Sequence, residues 1–151
     1  MKTLILFLAL TLSSVALAEG PNGVGIVLGE PTGITFQHKI NAERFMDFTF
    51  AYDWDDEEWM LMGDYKVHLP TLFGSGVPVM PYIGGGLFLH IEGEDKAHKD
   101  DVVIGLRIPF GVDWKVPDTS FSLFGEVAPG MEFIPKTDAE IQAGVGGRFF
   151  F

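Results

Sequence analysis

Four basic and four acidic side chains could do chemistry together in this chain: Lys39, Lys66, Arg107 and Arg148 against Asp47, Asp64, Glu126 and Glu132. Gathered in one space, such groups form a charge-balanced network of ion pairs and charge-assisted hydrogen bonds; kept apart, they are separately solvated charges. Other candidates are weaker. The acidic run Asp53, Asp55, Asp56, Glu57 and Glu58 offers hard oxygen ligands of the kind Ca²⁺ and Mg²⁺ take. It lacks the glycine-spaced pattern of a dedicated calcium loop, and reads as a solvated hairpin tip. The histidines are His38, His68, His90 and His98, with no H-x-x-x-H spacing, so no metal site is expected. A lipid-modifying hydrolase needs Ser, His and an acid near one rim. Beyond the first 18 residues the serines are Ser75, Ser120 and Ser122, and strand direction assures none of them a histidine. No catalytic residue and no cofactor are expected.

What must position the charged groups is a set of amphipathic strands. The clearest is the stretch 101–114, DVVIGLRIPFGVDW. Its even positions, from Val102 to Trp114, are all apolar, and its odd positions are small or polar apart from Val103. Side chains on a strand point to opposite faces with period two, so one face is greasy and the other polar. The pattern is longer than the usual strand of about 5–6 residues, and it suits a tilted strand crossing a bilayer, which needs about 9–11.

The same alternation recurs over residues 22–29, 33–40, 44–54, 58–68, 79–92, 120–133 and 139–151. Turn signals separate the runs: Glu30-Pro31 with Thr32 and Gly33, the acidic tip at 55–57, a Pro/Gly-containing connection at 69–78, a charged loop at 93–100, and Pro117-Asp118. Short connections let neighbours pair antiparallel. The expected fold is therefore all-β, an eight-stranded antiparallel up-and-down transmembrane β-barrel.

Polarity selects the kind of barrel. A soluble lipocalin-like barrel is apolar inside. Here the face carrying Phe, Trp, Leu, Ile and Val opposes one rich in glycine and charge, which suits lipid outside and a narrow polar lumen within. Eight strands leave a lumen just wide enough for side chains to fill. If the sixth and seventh strands turn about Pro117-Asp118, position 109 faces 126 and Arg107 lies one diagonal from Glu126. If the last two turn about Lys136, Glu126 faces Gly146 and lies one diagonal from Arg148. Glu126 is then expected between two guanidinium groups. Aromatics Tyr52, Trp54, Trp59 and Tyr65 on one hairpin, with Trp114 and Phe121 on another, fit interfacial girdles.

The chain opens with Met1-Lys2-Thr3, a short apolar run at 4–12 and an A-x-A end at Ala16-Leu17-Ala18. These are the parts of a secretory signal peptide, expected to be cleaved after Ala18. The run is too short for a spanning helix of roughly 20 residues. Residues 19–151 then form one barrel domain. Cysteine is absent, so packing and backbone pairing must hold the exported chain without disulfides. The formal net charge of −11 argues against nucleic acid or an anionic surface as partner.

Four segments, GVGIVLGEPTGIT (23–35), PYIGGGLFL (81–89), VVIGLRIPFGVDW (102–114) and FGEVAPGMEFIPKTDAEIQAGVGGRFFF (124–151), resemble a group of small bacterial outer-membrane β-barrel proteins, similar in architecture to OmpA- and OmpX-like barrels. The resemblance covers most of the chain after the leader. It implies Glu126, Arg107 and Arg148 as recurring interior residues. It also implies a bacterial outer-membrane location, with membrane lipid and, during assembly, the insertion machinery as partners. One departure is Gly86, where similar proteins often carry Arg. Phe151, with Phe149 alternating before it, resembles the C-terminal signal read by that machinery. The family has no assigned biochemical activity. The expected role is structural or surface interaction by a monomer whose lumen is plugged by charged side chains. A narrow pore, a lipid-modifying enzyme and a soluble periplasmic binding barrel are the competing readings.

Overall fold

The computed structural model describes residues 20–53, 58–72, 78–92 and 102–151. The leader with its expected cleavage site, Trp54 with the acidic tip at 55–57, Ser75, and the loop at 93–101 with His98 lie outside the described residues. Nine strand segments follow one another: β1 (Asn22–Glu30), β2 (Thr32–Lys39), β3 (Arg44–Asp53), β4 (Glu58–His68), β5 (Val79–Glu92), β6 (Val102–Arg107), β7 (Phe110–Lys115), β8 (Phe121–Ile134) and β9 (Asp138–Phe150). All pair antiparallel in one sheet. β1 pairs with β9, and β4 with β5, so the sheet closes on itself.

The closed ring has eight staves, because β6 and β7 are halves of one. Gly86 faces Arg107 and Ile83 faces Phe110 on one flank, while Arg107 faces Gly130 and Phe110 faces Val127 on the other. Register therefore runs unbroken through 108–109. The expected single strand at 101–114 is interrupted there because Pro109 has no N–H to give the ladder. Its carbonyl still accepts the Gly84 N–H at 2.8 Å, and the Ile108 N–H donates to the Pro129 carbonyl at 2.9 Å.

The two faces divide as alternation requires. Ile26, Ile34, Phe50, Leu61, Leu87, Leu106, Val112, Leu123 and Ile141 all point outward and are exposed. Aromatics cluster on this outer face: Phe50 stacks on Trp59 at 5.0 Å between ring centres, Tyr52 meets Trp59 at 4.9 Å, and Phe121 meets Phe149 at 5.9 Å.

The inner face is bulkier than the sequence suggests. Phe45, Met60, Met62, Tyr82, Phe88, Phe124 and Phe150 are buried inside it beside the charged groups. Glycines on facing strands make this possible. A Cβ on Gly105 would run into the Phe88 ring, and one on Gly146 would run into the Phe124 ring. The inward glycines are the complement of large inward side chains, not a sign of an empty lumen.

Candidate functional site

Inward positions from β1 to β9 stack into three layers along the lumen. At the end carrying the termini lie aromatic rings, with Phe45 4.6 Å from His68 and 5.7 Å from Tyr82. Towards the opposite end, where the β3–β4 and β8–β9 connections lie, sits an apolar cluster of Ala51, Met60, Met62 and Phe88. Between them is the charged layer.

That layer joins Lys66, Arg107 and Arg148 to Asp47, Asp64 and Glu126. The Lys66 Nζ stands 2.9 Å from Asp47 Oδ2, 2.5 Å from Glu126 Oε2 and 3.3 Å from Asp64 Oδ2. Arg107 pairs with Glu126, lies 3.3 Å from Asp64 through Nε, and donates to the Gln142 side-chain carbonyl at 2.6 Å. Arg148 reaches Asp47 at 2.5 Å and covers the Phe124 ring at 3.7 Å. The Thr35 hydroxyl donates to Asp47 at 2.7 Å, and the Tyr82 hydroxyl donates to Glu126 at 2.7 Å. Three cations thus meet three anions. Lys66, Asp47 and Arg148 are only 1–2% exposed. A charge so far from water is tolerable only when paired and hydrogen-bonded, as each of these is.

Two hairpins place Glu126 differently from the sequence expectation. Glu126 faces Gly111 and Gly144, not positions 109 and 146. The β7–β8 turn closes with the Val116 N–H donating to the Phe121 carbonyl at 3.0 Å. Pro117 and Asp118 are therefore the first half of the loop and not its centre, with Asp118 in the left-handed region at φ 60°, a conformation Asp tolerates. The β8–β9 turn likewise centres on Pro135, one residue before Lys136. Each change slides the pairing by two residues, which keeps every side chain on its face but moves its neighbours. Arg148 faces Ser122 as a result and serves Asp47. Glu126 lies between Arg107 and Lys66, not between two guanidinium groups.

The other two expected members sit at opposite ends. The Lys39 Nζ lies 3.8 Å from the centre of the Phe150 ring at the terminal end. Glu132 stands near the opposite end, close to His90 and Glu140. Interior polar residues beyond the eight expected from the sequence include Thr35, Tyr82, His68, Asp113 and Gln142. All have the inward parity, but only pairing across the lumen reveals their partners. Asp113 takes the His68 Nε2 at 2.8 Å and lies 3.5 Å from Arg148. Gly86 has a local reason: a Cβ there would collide with Asp64 Oδ1. Glycine at this position leaves room for the Asp64 carboxylate.

The free space follows the layers. A cavity of about 30 Å³ remains beside the charged layer, lined by Asp47, Lys66, Arg107, Glu126 and Arg148. That is room for about one water. A larger one of about 170 Å³ lies at the terminal end, among Gln37, Lys39, His68, Asp113, Ser122 and Phe150. Ser122 Oγ and His68 Nδ1 both lie here without a hydrogen-bond partner among the described residues, so the two do not bond each other.

In overall structure the chain is similar to the N-terminal β-barrel domain of Pseudomonas aeruginosa OprF, with a TM-score of 0.68 at 15% identity over 86% of this chain and 95% of that one. It is also similar to Neisserial surface protein A, with a TM-score of 0.56 at 18% identity over 86% of this chain and 93% of the other. No family model and no curated protein matches the sequence. The likenesses establish the fold, a closed eight-stranded antiparallel β-barrel.

Proposed function

We propose that the chain is an integral barrel of the bacterial outer membrane, exported by its N-terminal signal peptide, with a structural or surface-interaction role and a lumen plugged by the charged layer. The observation that carries this reading is the inversion of polarity. Outside, apolar side chains are exposed all round a closed ring, as at Ile34 (59%) and Leu87 (56%), while Lys66, Asp47 and Arg148 are enclosed within. In water such an outside would be an aggregation surface; in a bilayer it is the solvated face.

Dimensions support the same reading. β4 has 11 residues, and at about 3.3 Å per residue and a tilt near 45° it spans about 25 Å, the height of a barrel's lipid-facing band. Closure leaves no unpaired edge for hydrocarbon to meet. A soluble binding barrel would need the opposite polarity. A pore would need a water column where Arg107, Lys66 and Glu126 meet. The purified protein in a planar bilayer is expected to show no steady conductance. Steady ion-conducting steps from the unmodified chain would overturn the plug and favour the narrow pore.

A further inference from the structure

His90, Glu132 and Glu140 come from β5, β8 and β9, and all three have inward parity at the end of the lumen away from the termini. One ligand atom from each lies within 4.8 Å of the other two. His90 is 8% exposed, and its two ring nitrogens have different surroundings. Nδ1 is 3.2 Å from Glu58 Oε2. A carboxylate oxygen only accepts, so this contact puts a proton on Nδ1 and leaves the Nε2 lone pair for something else. Among the described residues Nε2 has no hydrogen-bond partner, and Glu140 Oε2 faces it at 3.6 Å. Two lone pairs aimed at each other across a buried gap repel unless a cation lies between them.

Glu140 is prepared in the same way. The Gln142 amide donates to its Oε1, which leaves Oε2 for the gap, and Gln142 is itself held by Arg107. Orienting a ligand through its second atom, with the carboxylate–imidazole pair as its commonest form, is how proteins hold a metal's ligands. We propose that His90, Glu132 and Glu140 bind a divalent transition metal, with Zn²⁺ the ion they suit best. One imidazole nitrogen and two carboxylate oxygens, with water completing four, is a Zn²⁺ donor set. The nitrogen disfavours Ca²⁺ and Mg²⁺, which take oxygen. Zinc–ligand distances of about 2.0–2.1 Å require the two glutamate ends to close in on Nε2, and both lie on flexible side chains. The sequence could not signal this site, because its ligands come from three strands and share no local spacing.

The test uses untagged, metal-stripped barrel in detergent micelles, titrated calorimetrically with Zn²⁺ and, separately, Ca²⁺. One Zn²⁺ per chain is expected, with Ca²⁺ at least tenfold weaker. His90→Ala and Glu132→Gln should each weaken Zn²⁺ at least tenfold, and His38→Ala, on the outer face, should leave it unchanged. Co²⁺ in place of Zn²⁺ should give visible bands of low coordination number that disappear in His90→Ala. Glu132→Gln keeps the imidazole and supplies the answer if His90→Ala does not fold. No saturable Zn²⁺ binding would overturn the proposal. Equal affinity in His90→Ala, or equal affinity for Ca²⁺, would overturn it as well.

Discussion

Replacing Glu126 by alanine removes the carboxylate that Lys66, Arg107 and Tyr82 share. Stranding one partner of a buried ion pair typically costs about 3–5 kcal/mol. The arrangement here points to the lower end. Lys66 keeps Asp47 at 2.9 Å and Asp64 at 3.3 Å, and Arg107 keeps Asp64 at 3.3 Å and Gln142. The Tyr82 hydroxyl loses its acceptor, which adds about 1 kcal/mol. A loss of about 3–4 kcal/mol is expected for Glu126→Ala. Glu126→Gln, which keeps the shape and an acceptor for Tyr82, should lose about half as much. The exposed Glu43→Ala, on the β2–β3 turn, should stay within about 0.5 kcal/mol of the parent. Urea titration of the barrel in lipid vesicles, read by the mobility difference between folded and unfolded bands, measures this directly. With a slope of about 1–3 kcal/mol per molar urea, the Glu126→Ala midpoint should fall by about 1–4 M. Equal midpoints for Glu126→Ala and Glu43→Ala would refute the reasoning, because Glu126 would then be a solvated charge in a wet lumen.

Three further outcomes follow from the same structure. Gly105→Ala, whose Cβ would strike the Phe88 ring, should cost about 1–3 kcal/mol, whereas Gly85→Ala, with nothing within 4 Å, should cost under about 0.5 kcal/mol in the same titration. Leu61→Arg, placing a charge on the outer face of β4, should destabilise the vesicle-folded barrel by about 2–4 kcal/mol. Deleting Phe151 should slow assembly and leave chain in the periplasm, as judged by pulse-chase fractionation, while Lys136→Ala should assemble normally.

Alternation made the faces legible residue by residue. It put Lys66, Asp64 and Arg107 inside and Ile26, Leu61 and Trp114 outside before any pairing was known, because period two belongs to the strand alone. Register was not legible. It depends on which loop residues a turn uses, and a two-residue slide at the β8–β9 turn about Pro135 leaves every face intact while Lys66, not Arg148, becomes the partner of Glu126. The bulk of the lumen was hidden for a related reason. Glycine and large side chains look opposed in a one-dimensional list, yet Gly105 and Phe88 on paired strands are one packing unit. The meeting of His90, Glu132 and Glu140 needed the closed ring itself.

The central claim is that the apolar outside is a lipid face around a closed barrel, and cell fractionation with heat-modifiable gel mobility tests it most directly. The account predicts that the chain sediments with the outer membrane, resists alkaline extraction and runs at a different position unboiled than boiled, as an SDS-resistant barrel does. A chain found in the soluble periplasmic fraction, with one mobility before and after boiling, would contradict it.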